Sequence, residues 1–323
     1  MLIDGHQRRF HYLRMSITDV CNFKCNYCLP DGYQCESSRQ FLDLQEIENL
    51  VTAFAELGVS KIRITGGEPA LRKDLPQIIK QVKQTAGVEK VALTTNGFSL
   101  EKKIDEWVEA GLDQLNVSID SLDPNNFRLI TGSDKHESIM RGVKRAIELG
   151  VTTKINTVLL KQFNAAEFGT FIDWIKHTPV SLRFIELMQT GDNQEFFEAQ
   201  HVRADEMQQQ IERQNWLPII KSKDAGPAIE YCHPEYAGRI GFIMPYSKDF
   251  CASCNRLRVS ATGKLHQCLF AEHGNDLRML LASAEQREDL KVFLREALGE
   301  KKVSHFLHDK ATGATKHLAM LGG

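Results

Sequence analysis

Apolar positions along this chain follow two alternating rhythms. Short runs rich in β-branched residues fall at Leu13–Thr18, Lys61–Thr65, Lys90–Thr95, Gln114–Asp120, Thr153–Leu160 and Leu182–Met188, and read as strands. Between them, apolar residues recur three and four apart. The sets are Leu44, Ile47, Val51 and Phe54; Ile78, Ile79 and Val82; Ile104, Trp107 and Val108; Ile139, Val143, Ala146 and Ile147; and Phe168, Phe171, Ile172 and Ile175. Each set lies on one face of a helix. Gly58, Gly111 and Gly150 stand where these helices should stop. Strand–helix alternation of this kind predicts a parallel sheet with helical crossovers, either open and doubly wound or closed toward a barrel.

In both architectures the chemistry lies beyond the carboxyl ends of the strands. Those ends carry cysteines after the first strand, Gly66-Gly67-Glu68 after the second and Thr95-Asn96-Gly97 after the third. Ser118 and Asp120 end the fourth, Asn156 lies in the fifth, and Glu186 and Met188 close the sixth. Six strands delivering such residues to one rim predict a shared site. After about Gly191 the rhythm changes. A helix is expected over Ala204–Gln214, short strand-like pieces within Gly226–Arg258, and a last helix over Leu290–Leu298. The chain therefore divides into residues 1–190 and a smaller domain, 191–323, as its 323 residues allow.

Composition narrows the function classes. At 42% hydrophobic and 25% charged residues the chain is ordinary globular material, and a net charge of -2 leaves no global basic field for a nucleic-acid backbone. No apolar run reaches the ~18 residues of a membrane span, and Met1 to Arg14 lacks the apolar stretch of a secretion signal. The expectation is a cytoplasmic protein, bound to neither membrane nor nucleic acid. Eight cysteines in a chain this long do not make a disulfide scaffold.

Their spacing is the informative part. Cys21, Cys25 and Cys28 supply three thiolates from one loop. This suits a four-iron cluster with one iron left open better than a structural zinc, which needs four ligands. Cys251, Cys254 and Cys268 form a second trio. Zinc competes more strongly here, because Cys232, His266 and His273 are near in sequence. Against it, Lys248, Arg256, Arg258 and Lys264 oppose only Asp249 around these cysteines, a setting for an anionic small molecule at a second open iron.

Cys21-Asn-Phe-Lys-Cys25-Asn-Tyr-Cys28 after the first strand, with Gly66-Gly67-Glu68-Pro69 after the second, resembles the radical S-adenosylmethionine (SAM) superfamily. The resemblance implies an α/β fold, a partial (βα)6 TIM-like barrel, whose open iron chelates SAM and releases a 5′-deoxyadenosyl radical from it. It also implies SAM contacts at Tyr27, Gly67, Ser118 and Met188.

Further motifs narrow the match to the family of radical SAM lyases that cyclise GTP at the start of molybdenum-cofactor synthesis. They are Cys251-Ala-Ser-Cys254-Asn-Arg256-Leu257-Arg258 with Cys268, Arg63-Ile-Thr-Gly-Gly-Glu-Pro, Thr94-Thr95-Asn96-Gly97, Arg183-Phe-Ile-Glu-Leu-Met188 and Gly322-Gly323. That family implies two [4Fe-4S] clusters, on Cys21, Cys25 and Cys28 and on Cys251, Cys254 and Cys268, the second in the smaller C-terminal domain and holding the guanine. It implies GTP contacts at Arg14, Arg63, Thr94, Lys154, Arg256, Leu257 and Arg258, and a Gly322-Gly323 tail reaching the active site. Hydrogen abstraction from the ribose C3′ and attack on C8 would give 3′,8-cyclo-7,8-dihydro-GTP. An external electron donor and the next pathway enzyme are the implied partners. The family is often homodimeric. Cys35 and Cys232 fall outside its ligand set. The competing readings are a two-cluster peptide-maturation enzyme and a zinc-bearing nucleic-acid module.

Overall fold

The computed structural model describes residues 1–34, 40–313, 319 and 321, so Cys35 and the Gly322-Gly323 tail lie outside the described residues. Six strands follow the predicted order: β1 (Tyr12–Ser16), β2 (Lys61–Thr65), β3 (Lys90–Thr95), β4 (Gln114–Ser118), β5 (Thr152–Leu159) and β6 (Ser181–Glu186). Each pairs with the next in parallel. The crossovers are α1 (Leu44–Glu56), α2 (Leu75–Gln84), α3 (Leu100–Glu109), α4 (Pro124–Thr131) with α5 (His136–Glu148), and α6 (Phe168–His177). Helix α1 starts at a capping box, in which Asp43 accepts from the Glu46 amide and Glu46 accepts from the Asp43 amide. Gly58, Gly111 and Gly150 end their helices at φ of 91°, 107° and 75°.

The strands alternate their faces, as the two-residue period of a strand requires. Leu13, Met15, Ile62, Ile64, Val91, Leu93, Leu115, Val117, Ile155, Leu182 and Phe184 are buried beneath the helices and form one core with Ile47, Phe54, Ile79, Trp107, Val143 and Phe171. Among the intervening residues, Tyr12, Arg14, Arg63, Thr94, Asn156 and Arg183 face the other way, into a cavity.

The chain beyond Gly191 extends this sheet at both edges. After α7 (Gln194–Gln200) and α8 (Asp205–Arg213) come β7 (Leu217–Pro218), β8 (Ile229–Cys232), β9 (Arg239–Ile243), β10 (Arg256–Val259), β11 (Lys264–His266) and β12 (Asn275–Asp276), then α9 (Arg278–Leu281) and α10 (Arg287–Gly299). Strand β9 pairs in parallel with β6, and β10 in parallel with β1. The strand order is β12-β11-β10-β1-β2-β3-β4-β5-β6-β9-β8-β7, so that among the described residues β12 and β7 are the edge strands. Laid flat, the eight strands from β10 to β9 would span about 34 Å. Residues of both β10 and β9 nevertheless line one cavity, so the sheet curls into an incomplete barrel.

Candidate active site

Parallel pairing in register turns the inward phase of each strand into a belt. Tyr12 sits beside Lys61 and Arg256, Arg14 beside Arg63 and Arg258, and Asn116 beside Lys154. Arg183 is the register partner of Asn156. Arg14, Arg63, Arg183, Arg256 and Arg258 all line the cavity, and Arg63, Arg183 and Arg258 are buried. Arg63 Nη1 donates to Thr94 Oγ1 at 3.1 Å. Lys154 Nζ and Arg183 Nε each stand 3.6 Å from Glu230 Oε1, and Ser181 Oγ donates to the same oxygen at 3.0 Å.

This concentration of buried cations is electrostatically uncomfortable. Burial and mutual repulsion pull Arg14 down to about 10, and burial with the adjacent Arg183 pulls Lys154 down to about 8. Arg14 Nε, Arg63 Nε and Arg183 Nη2 have no hydrogen-bond partner among the described residues. Unpaired buried donors are costly, and a polyanion would satisfy them.

Both cysteine trios line the same cavity. The first is held by a tight packing of loops. Gly67 donates its amide to Thr18 O at 2.9 Å and Glu68 donates to Val20 O at 2.7 Å. A Cβ at Gly66 would meet Thr18 O at 2.2 Å, and one at Gly67 would meet Val20 O at 2.3 Å. The glycines are therefore needed for the approach of one loop to the loop that enters Cys21. Glu68, buried and pushed up to about 7 by burial, accepts from Thr95 Oγ1 at 2.7 Å and from the Asn96 amide at 2.6 Å. Asn96 Nδ2 in turn reaches Cys21 Sγ at 3.9 Å. Tyr27 donates to Asp120 Oδ2 at 2.9 Å, and burial raises that carboxyl to about 6. Burial and the neighbouring Asp120, Cys28 and Cys21 push the Cys25 thiol well up.

The second trio has a cationic setting. Burial alone would raise the Cys254 thiol, but Arg256 and Lys301 bring it down to about 7. Ser304 Oγ donates to Cys251 Sγ at 3.8 Å. From the amino-terminal segment, Arg8 reaches across to donate to the carbonyls of Cys251 (3.2 Å), Val303 (2.8 Å) and Lys302 (2.7 Å), and pairs with Asp4 at 2.6 Å.

Each trio offers three thiol sulfurs to whatever group it holds. Among the described residues, no three His, Cys, Asp or Glu side chains gather closely enough to hold a metal ion. Cys232, His266 and His273 do not line the cavity. His305 does, but Nε2 contacts Pro245 O at 2.9 Å and Nδ1 accepts from the Leu307 amide at 2.9 Å, so both ring nitrogens are occupied. Three thiols on a common wall could hold an iron–sulfur cluster, since soft thiolate donors suit iron–sulfur chemistry.

Of the residues expected at the site, Tyr27, Gly67, Ser118 and Met188 line the cavity, as do Arg14, Arg63, Thr94, Arg256 and Arg258. Lys154 is not part of the lining; it shares the Glu230 carboxylate with Arg183, which is. Leu257 does not line the cavity either: strand alternation turns its side chain away from Arg256 and Arg258 into the apolar core. Chain near the tail arrives at the cavity, where Ala319 is part of the wall and Leu321 O accepts from Arg258 Nη1 at 2.9 Å. Sequence reasoning missed Tyr12 and Arg183 as site residues. Their strand phase could have found them, since each stands two positions from another inward-facing residue.

The comparisons with known proteins agree with this geometry. The Radical SAM superfamily model matches residues 15–175, and the Molybdenum Cofactor Synthesis C model matches residues 180–307. The fold is shared with Streptococcus suis SuiB bound to S-adenosylmethionine, at a TM-score of 0.63 and 13% identity over 89% of this chain and 68% of that one. Fold and site thus define a radical SAM protein, a class that uses SAM and an iron–sulfur cluster. The GTP 3′,8-cyclase of Psychromonas ingrahamii is 54% identical over 100% of this chain and 95% of its own length. That of Haemophilus ducreyi is 53% identical over 100% and 95%, and that of Vibrio vulnificus 53% over 99% and 97%. The chain belongs to the GTP 3′,8-cyclase family. Among the described residues no helix is long and apolar enough to cross a membrane.

Proposed function

We propose that this chain converts GTP to 3′,8-cyclo-7,8-dihydro-GTP with SAM as radical source, the first step of molybdenum-cofactor synthesis. The observation that carries this reading is a single cavity bounded by two cysteine trios and lined between them by a belt of buried cations. When bound at Cys21, Cys25 and Cys28, a reduced [4Fe-4S] cluster supplies the electron that cleaves SAM to methionine and a 5′-deoxyadenosyl radical.

The protein's own part is to hold and to exclude. Tyr27, Gly67, Ser118 and Met188 form the SAM side of the cavity. Arg14, Arg63, Thr94, Lys154, Arg256 and Arg258, with Arg183 added from the structure, hold the triphosphate and ribose. Arginine forks suit phosphate oxygens, and Lys154 acts as a point charge. Cys251, Cys254 and Cys268 would hold a second [4Fe-4S] cluster, which would supply an anchoring point for the guanine, in a setting made cationic by Arg256 and Lys301. Fixing the ribose C3′ against the radical source selects one C–H bond, and the desolvated wall keeps the radical from solvent. Gly322 and Gly323 lie outside the described residues; the family resemblance assigns them to the active site, and they follow in sequence Leu321, whose carbonyl accepts from Arg258 Nη1. An external donor supplies the electrons, and the next pathway enzyme takes the product. The reaction belongs in the cytoplasm, where reducing conditions keep cysteine ligands available as thiols.

Anaerobically reconstituted protein given reductant, SAM and GTP should yield a SAM-dependent product with the mass and NMR spectrum of 3′,8-cyclo-7,8-dihydro-GTP. Cys21→Ala should abolish SAM cleavage, whereas Cys254→Ala should retain uncoupled cleavage and lose GTP conversion. Identical behaviour of the two variants would remove the division of labour.

A further inference from the structure

Tyr12 opens β1 with its ring 2% exposed and facing the cavity. Arg14, two residues further along its own strand, and Arg63, the register partner of Arg14 on β2, line the same cavity wall beside it. Lys61 Nζ lies 5.2 Å and Arg63 Cζ 5.5 Å from the ring centroid. Arg256 of β10 is its register partner, and Arg183 of β6 and Arg258 of β10 act on it across the cavity. The nearby carboxylates are engaged elsewhere: Asp224 with Lys90, Ser222 and Lys61, and Glu230 with Ser181, Lys154 and Arg183.

We propose that Tyr12 is the internal counter-anion of this cation belt, taking up a proton and releasing Arg14 and Arg63 when a polyphosphate arrives. The proposal rests on reading the cavity as a nucleotide site. It adds a positioning residue whose protonation is linked to binding. Burial opposes the phenolate, but Arg63, Arg14 and Lys61 outweigh it and bring the phenol to about 7. In the empty site a phenolate between two arginines offsets part of the surplus positive charge. A bound triphosphate brings about three to four negative charges to the same guanidiniums. The phenolate would then face like charge, so its oxygen takes one proton from solvent and becomes neutral phenol. No electron moves. Linkage fixes the sign: if the phenol is more basic in the complex, binding consumes protons near neutral pH, and affinity falls as pH rises through about 7.

The test is calorimetry of the iron-loaded protein with GTP and, separately, with inorganic tripolyphosphate. Neither titration contains SAM, and each is run at pH 7 in buffers of different ionisation enthalpy. At pH 7 Lys154 is still largely charged, and Glu68 and Asp120, which also titrate near neutral pH, are common to both proteins, so the difference from Tyr12→Phe isolates the phenol. Native protein should take up about half a proton per ligand more than Tyr12→Phe, with iron content and circular dichroism of the two proteins equal. In native protein at pH 8, tripolyphosphate should also bleach an ultraviolet tyrosinate difference band, which checks the assignment without a variant. Equal proton stoichiometry in native and Tyr12→Phe protein, or no tyrosinate band in the free protein, overturns the proposal. If tripolyphosphate shows the linked uptake and GTP does not bind, the nucleotide reading fails while the role of Tyr12 stands. Failure of both ligands to bind overturns both.

Discussion

Lys154 keeps its charge up to about pH 8. Burial and the adjacent Arg183 favour losing the proton, while Glu230 at 3.6 Å favours keeping it. Deprotonation removes a positive charge from a site for an anion, so affinity for GTP should fall as pH climbs through 8. Lys154→Met should weaken GTP binding roughly ten- to a hundredfold at pH 7, the usual worth of a buried charged contact. It should also flatten the fall across pH 8, as calorimetry between pH 7 and 9 would register. An unchanged profile would place Lys154 outside the nucleotide site. Single residues of this kind are hard to assign from sequence. Arg14, Arg63 and Lys154 came from a family resemblance, and nothing local separates them from a solvated surface charge. Arg183 was in plain view inside a quoted motif, yet it became a site residue only when the register set it beside Asn156.

Strand phase decides what a substitution does, and β6 supplies a clean contrast between neighbours. Phe184 is fully buried on the helix side, with Phe168, Phe171 and Phe242 at ring-centroid distances of 5.2, 5.5 and 6.2 Å. Arg183, one residue earlier, points into the cavity. Phe184→Ala should cost about 3–5 kcal/mol of stability through the hole it leaves. Arg183→Met should cost little or even stabilise, because it removes a buried cation with incomplete pairing, and should weaken GTP binding instead. Denaturant midpoints and GTP titrations on both variants check the exchange of effects, and a large stability loss in Arg183→Met would contradict it. At this scale the sequence was largely legible. The boundaries of β2 and β3 fall where the apolar runs end, and the other four central strands are displaced by one or two residues. Helix α4 escaped because it is short, opens on Pro124, and buries only Phe127, Ile130 and Thr131. Two apolar contacts in eight residues make no readable stripe.

Long-range pairing is where local pattern stops informing. Nothing in Arg256–Val259 announces that it will lie parallel to Tyr12–Ser16, more than two hundred residues earlier, yet that pairing carries Arg256, Arg258 and the second trio to the first. Arg8 fastens the same junction from the amino-terminal segment through three backbone carbonyls. The resulting molecule separates two tasks. Its stability resides in the apolar layer between sheet and helices, and the two cysteine trios proposed to hold iron face the cavity instead. A small zinc domain unfolds when its metal is removed because the metal substitutes for a core, whereas here the core exists without one. Anaerobic protein should carry about eight irons per chain. Chelating them should leave the far-ultraviolet dichroism intact while lowering the melting temperature, since a ligand that binds only the folded state stabilises it. Hydrogen exchange should rise in the loops bearing Cys21–Cys28 and Cys251–Cys268 and stay slow in β2, β3 and β4, whose outward faces are wholly buried. Global unfolding on chelation would mean that iron, not the packed sheet, holds the fold together.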